Sequence, residues 1–225
     1  MRPVMARVAR WDRDTAGRAD RYVAISHYVA GRIRRYYNRE ATVVYPPVDT
    51  EYFHPDATTP ERFALVVSAL VPYKRIDMAI EACALAGVPL KIAGEGPERA
   101  RLERGAGPGV QFLGRRSNQD IRDLYRRAAV TLLPGEEDFG IVPLEAQACG
   151  RPVVALDRGG TAETVIPGET GMLVGDATPQ AFADAISSAL DWRFDSAAIR
   201  AHAEQFSRAR FGDEISALIA EPDRW

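Results

Sequence analysis

FALVVSALVPYKRIDMAIEACALAGVPLKIAGEG, residues 63–96, reads as strand, helix, strand. The runs FALVVS and PLKIAG are short and apolar and lead into turn residues, the pattern of buried strands. Between them, RIDMAIEACALAG keeps apolar side chains at helical spacing, with Asp77 placed to cap its start and Gly87 to end it.

The alternation continues through PERARLERG, VQFLG, NQDIRDLYRRA, AVTLLPG, EEDFGIVPLEAQACG and PVVALD, then a helical turn at TAETVI, GMLVG and TPQAFADAISSALDW. Ser117 and Thr178 are further cap candidates, and Gly150 a further stop. Strands and helices taken in turn predict an α/β fold, a Rossmann-like parallel sheet with helices on both faces, over residues 59–205.

Outside that core the pattern changes. Residues 1–58 offer a short strand in RYVAIS, a basic amphipathic helix HYVAGRIRRYYN and a second run, ATVVYPP, closed by Pro46 and Pro47. Two prolines enforce extended backbone and mark a domain edge. So little structure cannot bury a core alone, so 1–58 is expected to be the tail of a first domain plus the linker leaving it. At the other end, residues 206–225 are expected to form a helix packing back on this segment through Phe206, Phe211, Ile215 and Ile219.

The chain has 225 residues, with 29 basic and 31 acidic side chains and a formal net charge of -2. That balance gives no reason to expect nucleic acid as a partner. Arginine is nevertheless concentrated in MARVARWDRDTAGRADRY and GRIRRYYNRE. A solvated helix face is one reading, and contact with an acidic membrane surface or a phosphate-bearing substrate is the other. Cys83 and Cys149 sit among small apolar residues in predicted helices, as buried thiols do, which fits a reducing cytoplasm. No apolar run reaches the roughly 18 residues of a membrane span, so the location expected is cytoplasmic, with peripheral contact at the inner membrane face as its extension.

In an open parallel sheet, ligands bind beyond the carboxyl ends of the strands. Lys74 follows the first strand of the core and can point an ammonium at a phosphate; Gly94 and Gly96 follow the second and either admit a ligand or make a tight turn. EEDFGIVPLEAQACG, residues 136–150, is more specific. At about 100° per residue, Glu145 falls within the apolar arc of Ile141, Ala148 and Cys149, with Gln147 on the polar side. A carboxylate there needs a hydrogen-bond donor, either an arginine from a neighbouring element or the adjacent hydroxyls of a polyol. Pro143 suits a helix starting near Gly140, whose free N–H groups would face an anion, with Glu137 at the same pocket. Hydroxyls and phosphate together describe a nucleotide sugar.

VVSALVPYKRIDMAIEA, IAGEGPE, FLGRRSNQDIRDLY, PGEEDFGIVPLEAQACGRPVVA and GGTAETVIPGETGMLV, in that order, resemble the nucleotide-binding half of retaining glycosyltransferases of family four, of GT-B architecture. Glu137-x7-Glu145 matches that family's paired glutamates. The resemblance implies sugar transfer from a nucleoside-diphosphate sugar to a saccharide or lipid-linked acceptor, with retention and without a metal or other cofactor. It assigns Glu137 to the donor sugar, Lys74 to the diphosphate and Glu145 to the ribose. Backbone N–H groups of Phe139, Gly140, Ile141 and Val142 would hold sugar and phosphate, and Gly94, Gly96, Gly114 and Arg115 would shape the base end. Where many members carry a second cationic ligand, this chain has Ala69, leaving Arg75 or a group from the absent first domain to replace it. SALVPYKRID and EEDFGIVPLEAQA look most like mannosyltransferases of bacterial surface polysaccharides, which favours GDP-mannose as donor. Without its first domain, which would carry the acceptor site, such a chain is expected to bind donor and to transfer slowly or not at all. A sugar-nucleotide epimerase would instead need Gly-x-Gly-x-x-Gly after the first strand and a Tyr-x-x-x-Lys pair, and neither stands where it should.

Overall fold

The computed structural model describes residues 2–220. Its N-terminal part runs α1 (Arg2–Ala16), β1 (Val23–Ala24), α2 (His27–Tyr37) and β2 (Thr42–Val43). The core follows as β3 (Glu61–Val67), α3 (Ile76–Ala86), β4 (Leu90–Ala93), α4 (Arg99–Gly105), β5 (Val110–Gly114), α5 (Asn118–Arg127) and β6 (Ala128–Leu133). It continues through α6 (Ile141–Ala148), β7 (Val153–Leu156), β8 (Gly171–Val174), α7 (Pro179–Asp191), α8 (Ser196–Glu204) and α9 (Arg208–Ala220). Short 3₁₀ turns at Pro72–Lys74 and Gly160–Glu163 precede α3 and follow β7.

Six strands form one parallel sheet in the order β5-β4-β3-β6-β7-β8. Alternate side chains of a strand face opposite ways, and each face has its own core. Ala64, Val66, Val130, Leu132, Val154 and Leu156 pack under α3 and α7. Phe63, Leu65, Ala128, Val153 and Ala155 pack under α5, α6 and the start of the C-terminal segment. The Rossmann-like fold expected from the alternating pattern is therefore present, with helices on both faces.

Helix ends follow local chemistry. Ser117 and Asp120 form a reciprocal capping box on α5, Thr178 accepts from Ala181 N–H on α7, and Gly87 closes α3 in the left-handed conformation. Asp77 does not cap α3. The helix begins one residue earlier, after a left-handed Arg75, and Asp77 lies inside the first turn, where its carboxylate meets Arg75 Nε at 3.4 Å and favours the positive helix end.

The C-terminal segment departs from a single stripe. The helix is interrupted after Glu204, buries Phe206 in the turn, and resumes as α9, leaving Ile219 exposed while Phe211, Ile215 and Leu218 are half-buried. Arg210 Nη2 donates to Tyr45 O at 2.8 Å, and Val48 N to Phe206 O at 2.8 Å, so the segment lies along the N-terminal residues. Residues 221–225 of the expected helix lie outside the described residues.

Gly94 fixes how the ends of β3 and β4 meet. Its φ of 144° is open to glycine, and a Cβ there would stand 1.8 Å from Ser68 O. A Cβ on Gly96 would stand 2.3 Å from Leu70 O. The pair thus lets backbone meet backbone beneath the loop that carries Lys74. Gly94→Ala is expected to cost about 3 kcal/mol in urea unfolding, and a loss below about 0.5 kcal/mol would show that this contact can open freely.

Candidate functional site

The sheet order reverses between β3 and β6, where the connections after the two strands leave in opposite directions. That is the crevice position in open α/β sheets. A cleft of about 480 Å³ lies there, lined by the ends of both strands, the Tyr73–Lys74 turn and the loop from Pro134 to Val142. The structure brings Lys74, Glu137, Phe139, Gly140, Ile141 and Val142 together in this cleft, across 63 residues of sequence between Lys74 and Glu137.

Lys74 Nζ donates to Glu137 Oε1, and both side chains are about one-fifth exposed (19% and 20%). Partial burial strengthens such a pair and raises the penalty for removing one member. Below it, Gly140 starts α6 with φ 93° and no side-chain cap. The first N–H groups of α6 therefore remain available at the cleft floor. Phe139 contributes backbone only, because its ring is buried against Tyr45 (centroids 5.6 Å apart) and Phe206.

The loop is held from both sides. A Cβ on Gly159, whose φ is 70°, would reach within 2.2 Å of Glu137 O, and Gly160 N donates to that oxygen at 2.7 Å. From the other side Ser26, fully buried at the head of α2, donates from Oγ to Asp138 O at 2.6 Å, and Arg32 Nη1 meets Asp138 Oδ1 at 2.6 Å. Glu163 completes the clamp. Its carboxylate accepts from the N–H groups of His27 (2.9 Å) and Tyr28 (2.8 Å) and from Tyr45 OH (3.0 Å). Burial and then the Glu163 carboxylate push the Tyr45 phenol up to about 12.

Glu145 occupies a separate environment one turn into α6. It lies four residues after Ile141 and therefore on the same helix face. Its Oε2 accepts from Tyr125 OH at 2.9 Å, and burial pushes its carboxyl up to about 7 against the lowering effect of that bond. The donor required by the helix geometry is thus, within the chain, a tyrosine. The assignment of Gln147 to a polar side does not hold. It is fully buried, with Nε2 donating to Thr164 O at 2.8 Å, because α8 covers the face of α6 turned away from the sheet.

The remaining candidates stand outside the cleft. Gly94 and Gly96 pack on Ser68 and Leu70. Gly114, at φ 71°, faces Glu95 and Arg99, and Arg115 beside it is exposed. Ala69 lines the cleft, whereas Arg75 turns back to Asp77. Tyr125, Glu163, Ser26 and Asp138 were not picked out from sequence. Only Tyr125, a polar-tipped residue on the apolar side of α5, carried a signal there. Among the described residues no group of three or more His, Cys, Asp or Glu could hold a metal, and no helix is long and apolar enough to cross a membrane.

A parallel sheet covered on both faces with a cleft at the strand-order reversal is the frame on which open α/β proteins build ligand sites. Residues 49–207 match the family described as "Glycosyl transferases group 1", and the chain belongs to it. It is 33% identical to a D-inositol 3-phosphate glycosyltransferase of Mycolicibacterium smegmatis, over 92% of this chain and 53% of that protein. It is 32% identical to one of Acidothermus cellulolyticus, over 86% and 51%. The chain thus spans about half the length of these curated relatives. Among solved structures, sucrose-phosphate synthase from Thermosynechococcus elongatus superposes with a TM-score of 0.75 at 26% identity, covering 90% of this chain and 58% of that one. Anabaena HepE in complex with UDP shares the fold, with a TM-score of 0.79 at 23% identity over 90% of this chain and 64% of that one.

Removing the Glu163 carboxylate orphans two N–H groups and a phenol. Glu163→Ala is expected to lower stability by about 2 kcal/mol, with Tyr45→Phe losing about half as much. Burial and the Glu163 carboxylate set Tyr45 to ionise at about 12, so in ultraviolet titration Glu163→Ala should shift one tyrosine of the high-pH range downward, and Tyr45→Phe should remove it.

Proposed function

We propose that the cleft between β3 and β6 binds a nucleoside-diphosphate sugar and serves transfer of its sugar to an acceptor hydroxyl with retention at the anomeric carbon. The observation that carries this reading is the convergence of Lys74, Glu137 and the uncapped start of α6 on one cleft. Lys74 and the helix N–H groups offset the charge that grows on the leaving diphosphate, so no metal is assigned. Glu137 accepts from hydroxyls of the donor sugar, and Glu145 accepts from the ribose diol. Backbone N–H groups of Gly140, Ile141 and Val142 hold the sugar and the phosphate next to it.

No protein nucleophile is assigned. The acceptor, a saccharide or a lipid-linked one, is given to the part of the relatives' length that this chain does not span. That share also favours a second reading, in which these residues bind donor and transfer little by themselves, because proximity of the acceptor supplies much of the rate. Mannose as the donor sugar rests on the wording of the motifs alone. Anabaena HepE has been solved with UDP-glucose.

Calorimetric titration with UDP, GDP and ADP decides the reading. One of the three should bind, and Lys74→Ala should weaken it at least about tenfold through loss of a charge-assisted contact. Unchanged affinity in Lys74→Ala would remove the diphosphate from this cleft. Robust sugar transfer by the 225-residue chain would overturn the second reading and leave the first.

A further inference from the structure

Tyr125 is the largest fully buried side chain of the core, yet its hydroxyl is aimed at a carboxylate rather than at backbone. Its ring is held edge-on by Phe53, with centroids 5.9 Å apart, and it sits in the last turn of α5, whose far end is pinned by the Ser117–Asp120 capping box. The hydroxyl therefore has little freedom. Its one proton goes to Oε2 of Glu145, and among the described residues Oε1 takes no hydrogen bond.

Other charged groups on the elements packed around α6 are engaged elsewhere. On α5, Arg126 donates to His54 O and pairs with Asp56, and Arg122 lies over the Tyr52 ring. Arg151 donates to Arg126 O and Thr58 O. On α8, Arg200 donates to Ala148 O and the His202 ring meets Thr164 O. Cys149, one turn beyond Glu145, is pushed up to about 12 by burial and stays neutral. Among the described residues Glu145 has no lysine or arginine partner, and the Tyr125 hydroxyl alone favours its ionised form.

We infer that Tyr125 is a positioning residue for nucleotide recognition: its hydroxyl holds Oε2 of Glu145 and so turns Oε1 to meet the vicinal hydroxyls of a ribose. This rests on the assignment of Glu145 to the ribose. A tyrosine that merely satisfied its own buried hydroxyl would affect stability and nothing else.

The sign of the pH dependence follows from the chemistry. A hydrogen bond donated to a carboxylate stabilises the charged form, so loss of the hydroxyl raises the pH at which Glu145 ionises. Binding that needs the charged form then rises at higher pH. A nucleoside-diphosphate sugar suits this measurement, because its diphosphate carries no proton that titrates near neutrality.

The experiment is calorimetric titration of the full chain with UDP-glucose and, separately, GDP-mannose from pH 5.5 to 9. It compares the unsubstituted protein with Tyr125→Phe and Glu145→Gln. The expected result is binding that strengthens through pH 7 in the unsubstituted protein, together with a rise displaced upward by about one unit in Tyr125→Phe. That displacement means about fivefold weaker binding at pH 7, approaching about tenfold below it, with recovery at pH 9, and the recovery also shows that the variant is folded. Tyr125→Phe with unchanged affinity and profile, beside a Glu145→Gln that no longer binds, overturns the positioning role and leaves the ribose assignment standing. A Glu145→Gln that binds as the unsubstituted protein does overturns the ribose assignment and the positioning role with it. Failure of both sugars to bind the unsubstituted protein overturns both.

Discussion

The parallel pairing of β3 with β6 is the constraint on which the site depends. It sets two strands side by side whose following connections diverge, and the space they leave is the cleft. Lys74 comes from one connection and Glu137 from the other, so their ion pair exists only when the strand order is correct. Everything else near the cleft serves to hold these two connections still. Gly94 seats the first against β4, while Gly159, Gly160, Ser26 and Glu163 clamp the second.

The two glutamates of the motif differ because their surroundings differ. Glu137 faces an ammonium in a partly open cleft. Glu145 is sunk into a helix covered on both sides, meets a single neutral donor, and holds its proton up to about pH 7. One carboxylate is paired with a cation, and the other is shaped by burial. Two acids eight positions apart thus acquire different chemistry from packing rather than from sequence.

The sheet and its helices were legible because β-branched and apolar runs too short for helices recur between glycines, as in FALVVS and PLKIAG. Cap residues with a free approach, Ser117 and Thr178, could be read locally. Gln147 could not, because a helical wheel describes one helix, and it is α8, arriving some fifty residues later, that removes the solvent from its polar side. The same limit hid Glu163 and Ser26, whose partners lie 136 and 112 residues away. Lys74, Glu137 and the start of α6 could be placed at one cleft because the strand-end rule assigns positions without side-chain detail. Tyr125, with its polar tip on an apolar helix face, called for a partner in sequence, but only the fold supplies Glu145 as that partner.

Lys74 has its counter-ion within the chain, and that bears on what can enter the cleft. A lone phosphate or sulfate could take the ammonium only by stranding Glu137 in a half-buried place, facing a second negative charge. A ligand that offers hydroxyls beside its phosphates gives each member of the pair a new partner, and the local charge stays balanced. On the donor reading, the ion pair acts as a resident competitor: it discounts the many simple anions of a cell and yields to the one class of molecule that can replace both halves together.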